Sequence, residues 1–431
     1  MKKVKVAILG FGTVGAGVYR LLTGNNEDYR HREGLDFEIT RVLVRDFEHE
    51  PNLGLAPLTT FTTAFDEVLA SGMDVLVECM GGIEPARTFI LRALQQGTTV
   101  VTSNKEVFSK YWPEFEAAAK KSGAGLYMEA TAGGGIPIIR TLIDGMQANN
   151  IEELMGIVNG TTNYILTKMT EEGMSYDEAL RQAQQLGYAE ANPKADVEGY
   201  DSTYKLSILA SLAFHARVSI DSIYREGITG VTPQDIAVAK ELGYVIKLLA
   251  IGKKTGGSHG DLQVRVHPTM IPLTHPLAFV RDSFNAIFMH GHAIDDVMLY
   301  GRGAGQLPTA SAIVSDTIYA SKTDHHFYTT FDNTFDAPQT LTLQSNWVSA
   351  YAVRLTVTDQ AGVRAEVAKV FGDNNVSIHS ISQRGDATAD NPAQIIVITH
   401  EANESAMQAT LRGLRTLECV LSVDNLMRVE Q

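Results

Sequence analysis

A strongly apolar run near the start of the chain leads directly into a glycine-rich hexapeptide. The run VKVAILG (4–10) has the continuous apolar character of a parallel strand that is covered on both faces. The hexapeptide has the spacing G-x-G-x-x-G and opens a predicted helix at residues 13–22; its members are Gly10, Phe11, Gly12, Thr13, Val14 and Gly15. In this setting the first glycine permits a tight turn, the second a close approach to a pyrophosphate, and the third close packing of helix on strand. The pattern therefore predicts a dinucleotide-binding unit, with phosphates at the helix N-terminus.

The first third of the chain continues to alternate predicted strands with predicted helices. The further strands are predicted at residues 37–45, 74–82, 98–104 and 125–132. This rhythm is typical of an α/β fold with a Rossmann-type, doubly wound parallel sheet. We expect the dinucleotide-binding domain to cover residues 1–135 and to be rejoined by about residues 305–335.

Further cofactor contacts are expected beyond the carboxyl ends of these strands, where open α/β sheets bind ligands. Gly81 would let the nicotinamide side of a cofactor lie close to the backbone, and Lys105 would place a positive charge beside the reacting atoms. A solvated lysine at a helix start is the alternative for Lys105, although the helix dipole disfavours it. Arg45 favours NADP and the following Asp46 favours NAD, so both cofactors stay open, with NADP favoured. A surface arginine without a role is the alternative for Arg45. Gly305 lies before another predicted helix, either as a second contact to the cofactor or in an ordinary loop.

Beyond about residue 150 the pattern changes to one that is typical of an α+β domain. A strand and a helix come first, and strands at 262–268 and 285–291 follow a glycine-rich turn, as in an antiparallel sheet. We expect this second domain to cover residues 136–304, and a polar stretch at 337–350 to act as a linker. Residues 351–431 then give the order βαββαβ, which predicts a small domain of the ferredoxin-like type.

A predicted helix over residues 197–214 carries an acid and a lysine along the line of its apolar stripe. Asp201 and Lys205 lie four residues apart and therefore share a face. Since a buried unpaired charge is costly, the two side chains should either pair or serve a ligand. A structural ion pair and a binding site both stay open. Glu190 adds another acid shortly before this helix.

Length, composition and charge restrict the class of protein. The chain has 431 residues, which is enough for two or three domains, and its apolar fraction of 44% is that of a globular protein. A net charge of −14 argues against nucleic-acid and anionic-membrane partners. Two cysteines form no disulfide framework, and no apolar run is long enough to span a bilayer. We therefore expect a cytoplasmic protein that acts on a small molecule.

The motifs GFGTVG, TSNK, EATAGGGIPII, GIVNGTTNYIL, GYAEANPKADVEGYDSTYKL and GRGAGQLPTASAIVSD follow one another along the chain. On these motifs the sequence resembles homoserine dehydrogenases of the long, regulated type, essentially from end to end. The resemblance implies a Rossmann domain, a substrate-binding and dimerisation domain, and a C-terminal ACT domain that senses amino acids. It implies reversible, NADPH- or NADH-dependent reduction of L-aspartate 4-semialdehyde to L-homoserine, in threonine and methionine biosynthesis. It also implies a homodimer or homotetramer and L-threonine as a possible effector.

The same resemblance implies roles for individual residues. Lys205 matches a catalytic lysine and Lys105 a second lysine beside the nicotinamide, while Glu190 and Asp201 match substrate-binding acids. Gly305 matches a glycine that touches the cofactor. The positions that match ligands of a monovalent cation, usually sodium and largely through backbone carbonyls, are Glu129, Ala132, Gly134 and Ile136.

Two alternatives are weighed against this function. A non-catalytic sensor of dinucleotides and amino acids would need the glycine motif but no lysine on the Asp201 face. An aspartate-semialdehyde dehydrogenase would need a cysteine nucleophile beside a histidine base, and Cys79 has no such setting in the sequence. The histidines at 290, 292, 325 and 326 are interpreted as loop residues rather than metal ligands.

Overall fold

The computed structural model describes residues 1–48, 50–256, 260–323, 341–384 and 392–430. It divides into two compact units, each formed from separate stretches of the chain. Unit one comprises Met1–Gly160, Asp201–Ile223 and Phe284–Thr340. Unit two comprises Thr161–Tyr200, Tyr224–Ser283 and Leu341–Gln431.

The strands are numbered in chain order across the described residues. They are β1 (Lys2–Leu9), β2 (Leu35–Leu43), β3 (Phe61–Thr62), β4 (Val75–Glu78), β5 (Thr99–Thr102), β6 (Leu126–Tyr127), β7 (Ile151–Ile157), β8 (Tyr224–Arg225), β9 (Tyr244–Thr255), β10 (Asp261–Pro272), β11 (Phe284–Gly291), β12 (Asp295–Arg302), β13 (Thr342–Leu343), β14 (Val348–Val357), β15 (Ile378–Arg384), β16 (Ala393–Thr399), β17 (Ala402–Asn403) and β18 (Val420–Val429).

The α-helices follow the same order. They are α1 (Thr13–Gly24), α2 (Asn26–Glu33), α3 (Phe65–Leu69), α4 (Ala86–Gln95), α5 (Lys105–Ser122), α6 (Ile138–Arg140), α7 (Gly160–Glu172), α8 (Tyr176–Gln185), α9 (Lys194–Val197), α10 (Tyr200–Ala213), α11 (Pro233–Glu241), α12 (Gln306–Lys322), α13 (Val363–Asp373) and α14 (Glu404–Leu414).

Unit one is built around a parallel sheet with the strand order β3-β2-β1-β4-β5-β6. Every neighbouring pair in this sheet is parallel. The second half of β1, from Val6 to Leu9, is fully buried, as expected for a parallel strand that is covered on both faces. Helices α1 and α12 pack together. The strand order changes direction between β1 and β4, which confirms the predicted doubly wound α/β sheet. A second, antiparallel set of strands in this unit joins β7, β11 and β12.

Several predicted boundaries differ from the structure for local reasons. The strand predicted at 125–132 ends at Tyr127, because Glu129–Thr131 turns into a 3-10 helix. The helix predicted at 197–214 begins only at Tyr200, because Gly199 adopts a φ of 82° and separates it from α9. Strand β9 was not predicted, although its antiparallel pairing with β10 fits the predicted turn between them.

Unit two contains the C-terminal βαββαβ element, which confirms the ferredoxin-like plan. Its antiparallel sheet has the order β18-β14-β16-β15. Helices α13 and α14 contribute to one apolar core with this sheet, centred on the side chains of Val353, Val367, Phe371, Met407 and Leu414.

The last strand of the chain also pairs with the sheet of the preceding domain. Strand β18 lies parallel to β10, and the Glu430 N–H donates to the carbonyl of Met270. The fully buried guanidinium groups of Arg265 and Arg428 bind Glu430 at 2.5 Å and Glu404 at 2.7 Å, respectively. The C-terminal domain is therefore tied to β10 by backbone pairing and by buried ion pairs.

The expected linker at 337–350 is partly packed. Residues 337–340 lie outside the described residues, as do His325, His326 and part of the stretch at 305–335 that was predicted to rejoin the first domain. In the rest of the linker, β13 pairs with β10, and Trp347 is 1% exposed. An indole of that size gains free energy from burial, so this part of the stretch does not act as a solvated tether. The predicted domain limits at 135, 304 and 351 stay predictions.

Candidate functional site

The glycine hexapeptide connects β1 to α1 in unit one, and its three glycines have different surroundings. Gly10 has a φ of 87°, and a Cβ there would lie 2.9 Å from the carbonyl oxygen of Cys79. A Cβ on Gly15 would lie 2.0 Å from the carbonyl oxygen of Gly10, so helix and strand could not approach as they do. A Cβ on Gly12 would meet open space, which leaves room for a ligand above the N-terminus of α1. This geometry fits a pyrophosphate beside the first turn.

The other residues of the hexapeptide divide between core and helix start. Phe11 is buried and packs edge-on against Tyr19 and Phe61, so its side chain belongs to the core and only its backbone could reach a cofactor. Thr13 and Val14 form the first turn of α1. The amide of Asn52 donates to the Phe11 carbonyl at 2.8 Å, a contact that the sequence did not predict.

The remaining predicted cofactor residues lie at the same edge of the parallel sheet or next to it. Arg45 is exposed, two residues beyond the end of β2. Gly81 follows β4, has a φ of 75° and is exposed. Gly305 has a φ of 125° and directly precedes α12, which packs against α1. These positions are those at which doubly wound sheets bind ligands.

Two lysines of unit one bind the same carboxylate. Lys105 is the first residue of α5, and its Nζ lies 2.9 Å from Oδ1 of Asp201. Lys205 lies one turn after Asp201 on α10, and its Nζ lies 2.7 Å from Oδ2. The Lys205 ammonium also donates to the carbonyl of Val158 at 2.6 Å, and the amide of Asn159 donates to Asp201 at 2.8 Å. The structure thus brings together residues from α5, α10 and the end of β7.

Burial and charge together determine the ionisation of this cluster. The side chains of Asp201 and Lys205 are 7% and 9% exposed, whereas that of Lys105 is 40% exposed. Burial alone would raise the pKa of Asp201, but the charges of Lys105 and Lys205 and the hydrogen bonds outweigh it. The pKa of Asp201 is therefore held well below its usual range, and the carboxylate stays ionised.

The charged pair on the apolar face of α10 belongs to a larger cluster. Asp201 and Lys205 do form the i,i+4 ion pair that was one of the two explanations. The addition of Lys105 makes this pair part of a three-residue cluster that a purely structural pair would not need. Asp201 was expected to bind a substrate ammonium group, and in the structure its two oxygens already accept from two lysines. Its first role in this geometry is to orient those lysines.

Glu190 lies in unit two, in the segment after α8. The amide of Gln184 donates to its backbone carbonyl at 3.1 Å, and its side chain is exposed. The predicted role of Glu190 in substrate binding stays a prediction. Asn159 contributes to the cluster without having been predicted, because an asparagine after a strand has no charge pattern to mark it.

The positions predicted to hold a monovalent cation form a buried turn in unit one. Glu129, Ala132, Gly134 and Ile136 are all buried, and Gly134 has a φ of 57°. The carboxylate of Glu129 accepts the N–H groups of Ile139 and Arg140 at 2.9 and 2.8 Å, so it caps the start of α6. Burial, and then the charge of Asp316, raises the pKa of Glu129 to about 7.

The donor groups of this turn limit the kind of cation that it could hold. Within the described ranges there is no group of three or more histidine, cysteine, aspartate or glutamate side chains placed to hold a metal. The donors that the turn does offer are neutral backbone carbonyl oxygens, which are hard ligands without charge. That donor set suits a hard cation, such as an alkali or alkaline-earth ion, better than a transition metal.

Cys79, His290 and His292 each have surroundings that the structure describes. Cys79 is half-buried, and burial together with the charge of Glu78 raises the pKa of its thiol, so it is not a thiolate nucleophile. His290 pairs with Asp296 at 2.8 Å, and His292 accepts from the N–H of Asn150 at 3.0 Å. Among the described residues no helix is long and apolar enough to cross a bilayer.

Family models match three successive parts of the chain. Residues 10–129 match "Homoserine dehydrogenase, NAD binding domain", residues 137–318 match "Homoserine dehydrogenase", and residues 351–418 match "ACT domain". Together with the doubly wound sheet and the glycine turn, these matches define an NAD(P)-dependent oxidoreductase that carries a C-terminal ACT domain.

Whole-chain comparisons then give the particular family. The chain is 38% identical to a homoserine dehydrogenase of Bacillus subtilis over 433 residues, covering 100% of this chain and 99% of that protein. It is 40% identical to one of Synechocystis over 435 residues, covering 99% of each. The solved homoserine dehydrogenase of Thiobacillus denitrificans superposes with a TM-score of 0.89 at 36% identity, covering 100% and 99% of the two chains. The chain belongs to the homoserine dehydrogenase family.

A less similar solved structure contains NADPH. It is a hyperthermophilic archaeal homoserine dehydrogenase in complex with NADPH, with a TM-score of 0.63 and 26% identity. It covers 78% of this chain and 99% of its own.

Proposed function

We propose that the cluster of Lys105, Asp201 and Lys205 is the centre at which this chain interconverts L-aspartate 4-semialdehyde and L-homoserine. The observation that carries the proposal is the binding of one buried carboxylate by two lysines from different helices. An arrangement of this kind holds two ammonium groups in fixed positions before a substrate arrives. Fixed charges in a water-poor site are the largest source of transition-state stabilisation in many enzymes.

Reduction of the aldehyde places negative charge on its oxygen, which then takes up a proton. NADPH or NADH, when bound, supplies the hydride. Lys205 acts as the acid that donates the proton and, in the reverse direction, as the base that removes it. General acid or base assistance of this kind contributes about 10²–10⁴-fold. Lys105, the more exposed of the two lysines, stabilises the developing oxyanion.

Asp201 and Glu190 have different partners in this proposal. Asp201 orients Lys105 and Lys205 through its two oxygens, and Asn159 holds the same carboxylate. Glu190 binds the ammonium group of the substrate. The carboxylate of Asp201 stays ionised, and its charge is balanced by the two lysines.

NADP is the preferred cofactor. Arg45 is exposed beyond the end of β2, the position from which a side chain can reach a 2′-phosphate. The archaeal relative that was solved with NADPH supports the same choice. Contacts to the cofactor come from the backbone of the glycine hexapeptide, from Gly81 and Lys105, and from Gly305.

The buried turn that contains Glu129, Ala132, Gly134 and Ile136 holds a sodium ion. Its neutral carbonyl donors support a monovalent ion, since they are hard ligands without charge. The Glu129 side chain contributes indirectly, because it caps α6 and so holds the turn in shape. Bound sodium would stabilise the fold of this segment and supply no chemistry to the reacting atoms.

The C-terminal ACT domain makes the enzyme sensitive to L-threonine, and the chain assembles as a homodimer or homotetramer. The match of residues 351–418 to the ACT model supports a regulatory role. Effector binding changes activity only if it favours one of two conformations, with a typical coupling of about 1–3 kcal/mol.

The deciding experiment is an assay of the purified full-length chain in both directions. We expect homoserine-dependent reduction of NADP and of NAD, with a larger kcat/KM for NADP, and inhibition by L-threonine. A chain that binds NADPH but does not turn over homoserine would contradict the proposed function and favour a sensor. Activity that ignores threonine would leave the dehydrogenase and remove the regulatory proposal.

A further inference from the structure

A fully buried carboxylate that was not predicted from the sequence lies at the end of β4 in unit one. Glu78 is 0% exposed and stands opposite Thr102 in the parallel pair of β4 and β5. Its Oε1 accepts the N–H of Met80 at 2.8 Å, and its Oε2 accepts the hydroxyl of Thr102 at 2.6 Å. None of the ion pairs among the described residues includes Glu78, and burial raises its pKa. A buried acid without a salt bridge is costly, so its hydrogen bonds must serve the structure or the site.

The hydrogen bonds of Glu78 continue into the start of α5. The hydroxyl oxygen of Thr102 accepts the N–H of Asn104 at 3.0 Å. The side-chain oxygen of Asn104 accepts the N–H of Val107 at 3.2 Å and so caps α5. The side-chain nitrogen of Asn104 donates to the carbonyl of Gly82 at 2.7 Å. The loop after β4 is therefore held at both ends, at Met80 by Glu78 and at Gly82 by Asn104.

In the proposed mechanism, the Met80–Gly82 loop and the start of α5 both lie next to reacting groups. The loop Met80–Gly82 has two exposed glycines with φ of 75° and 71°, a conformation that needs support from its surroundings. The first residue of α5 is Lys105, whose ammonium binds Asp201 at 2.9 Å. An error of about 1 Å in the placement of such groups can cost on the order of 10²-fold in rate.

We propose that Glu78 is a positioning residue, which orients the Met80–Gly82 loop directly and the start of α5, with Lys105, through Thr102 and Asn104. The inference rests on the proposed function, because that function makes the loop a nicotinamide contact and Lys105 a reacting group. Glu78 itself touches neither substrate nor cofactor. It acts by holding two elements in the relative placement that hydride transfer requires.

A second buried acid in the same unit offers a matched control. Glu116 lies near the middle of α5, is 3% exposed, and binds Lys120 at 2.9 Å and Arg217 at 3.3 Å. Loss of its charge should lower stability as loss of any buried ion pair does. It lies three turns along the helix from Lys105 and has no contact with the Met80–Gly82 loop among the described contacts.

The test compares Glu78→Gln, Glu78→Met and Thr102→Val with Glu116→Gln in the full-length chain. Five quantities are measured: the melting temperature, the Kd of NADPH by its fluorescence, kcat and KM for the semialdehyde, and the kinetic isotope effect with NADPH deuterated at the transferred hydrogen. The isotope effect reports how far hydride transfer limits the rate, which a loss of stability alone does not change.

We expect Glu78→Met to weaken NADPH binding about tenfold, to lower kcat by about 10–100-fold and to raise the isotope effect on kcat. Glu78→Gln keeps an oxygen that can accept from Met80 and should recover most of the loss. Thr102→Val cuts the link to Asn104 and should raise the isotope effect with a smaller change in NADPH binding. Glu116→Gln should lower the melting temperature and leave the isotope effect unchanged.

The proposal is overturned if folded Glu78→Met has the NADPH affinity and isotope effect of the wild type. If Glu78→Met does not fold, Thr102→Val with wild-type kinetics overturns it in the same way. Failure of the proposed function is a separate result, because the wild type would then lack turnover. The NADPH Kd of the four variants would still test Glu78 in that case, as it needs no substrate.

Discussion

Lys105 and Asp201 form an ion pair with 2.9 Å between Nζ and Oδ1, although they come from distant parts of the chain. The pair links the first residue of α5 to the second residue of α10. Lys205 occupies the other oxygen of the same carboxylate. Since one carboxylate orients both ammonium groups, loss of any member should disturb the other two.

Lys205→Ala should abolish nearly all turnover while leaving NADPH affinity close to that of the wild type. The ammonium is the proposed acid and base, and general acid assistance is worth about 10²–10⁴-fold. The measurements are kcat with homoserine and the Kd of NADPH. Lys168→Ala, which removes a lysine that pairs with Glu172 on α7, is the control and should retain activity. More than about a tenth of wild-type kcat in Lys205→Ala would exclude this role.

The stabilisation that the ionised Asp201 carboxylate provides should be lost in acid. The folded pKa lies below the ordinary value of about 3.9, so the ionised group stabilises the fold above about pH 4. That contribution is lost as the pH falls through the folded pKa. We expect the difference in melting temperature between wild type and Asp201→Asn to be largest near neutral pH and to shrink below pH 4, measured by calorimetry. A difference that does not change with pH would contradict the ion-pair account.

Lys247 should give a second pH dependence of stability, in the alkaline range. It is buried in unit two and donates to the Asn163 side chain at 3.0 Å and to the Val280 carbonyl at 2.5 Å. Burial lowers its pKa to about 8, so between about pH 8 and 10.4 the unfolded chain binds a proton that the folded chain does not. The free energy of unfolding should therefore rise with pH across that window, by about 3 kcal/mol.

Lys247→Met should remove this rise, as measured by thermal unfolding at pH 7.5, 9 and 10. The quantity compared is the slope of the unfolding free energy against pH and not the absolute stability. The variant also removes the hydrogen bonds that Lys247 donates to Asn163 and to the Val280 carbonyl. Parallel curves for wild type and variant would mean that folding does not change the pKa of Lys247, and would contradict this account.

Arg45→Ala should weaken NADPH binding more than NADH binding. A charge-assisted hydrogen bond to the 2′-phosphate is worth about 1.5–3 kcal/mol, which corresponds to a tenfold or larger change in the preference ratio. Binding of both cofactors is measured by fluorescence for wild type and variant. Equal weakening of NADPH and NADH would make Arg45 an exposed residue without a role in cofactor choice.

Truncation after about residue 345 should destabilise the remaining chain, even though the proposed reacting lysines lie before it. The truncated chain loses β18 from the edge of β10 and loses Glu430, the partner of fully buried Arg265. Breaking a buried ion pair on one side costs about 3–5 kcal/mol. We expect an aggregated product or a large fall in melting temperature. A full-length Glu430→Gln variant should show part of the same fall, and a stable, active truncation would contradict the role of these contacts.

The sequence alone determined the elements whose signals are local. The apolar run before GFGTVG, the alternation of strands and helices, and the C-terminal βαββαβ order each follow from periodicity and glycine placement within a few tens of residues. The charged pair Asp201–Lys205 was also visible, since a spacing of four places both side chains on one helix face. These features led to the fold class and to the lysines of the candidate site.

Only the tertiary structure decided which of these charges meet. Lys105 reaches Asp201 because the fold brings the N-terminus of α5 to the start of α10, and no local sequence pattern encodes that contact. The role of Glu78 could not be predicted, because only the β4–β5 register places its partner Thr102 opposite it. The stretch around Trp347 was likewise predicted to be a linker because it is polar, but β13 pairs with β10 and Trp347 is buried. The common reason is that burial and hydrogen bonding between distant segments are set by packing, whereas periodicity reports only the immediate neighbours of a residue.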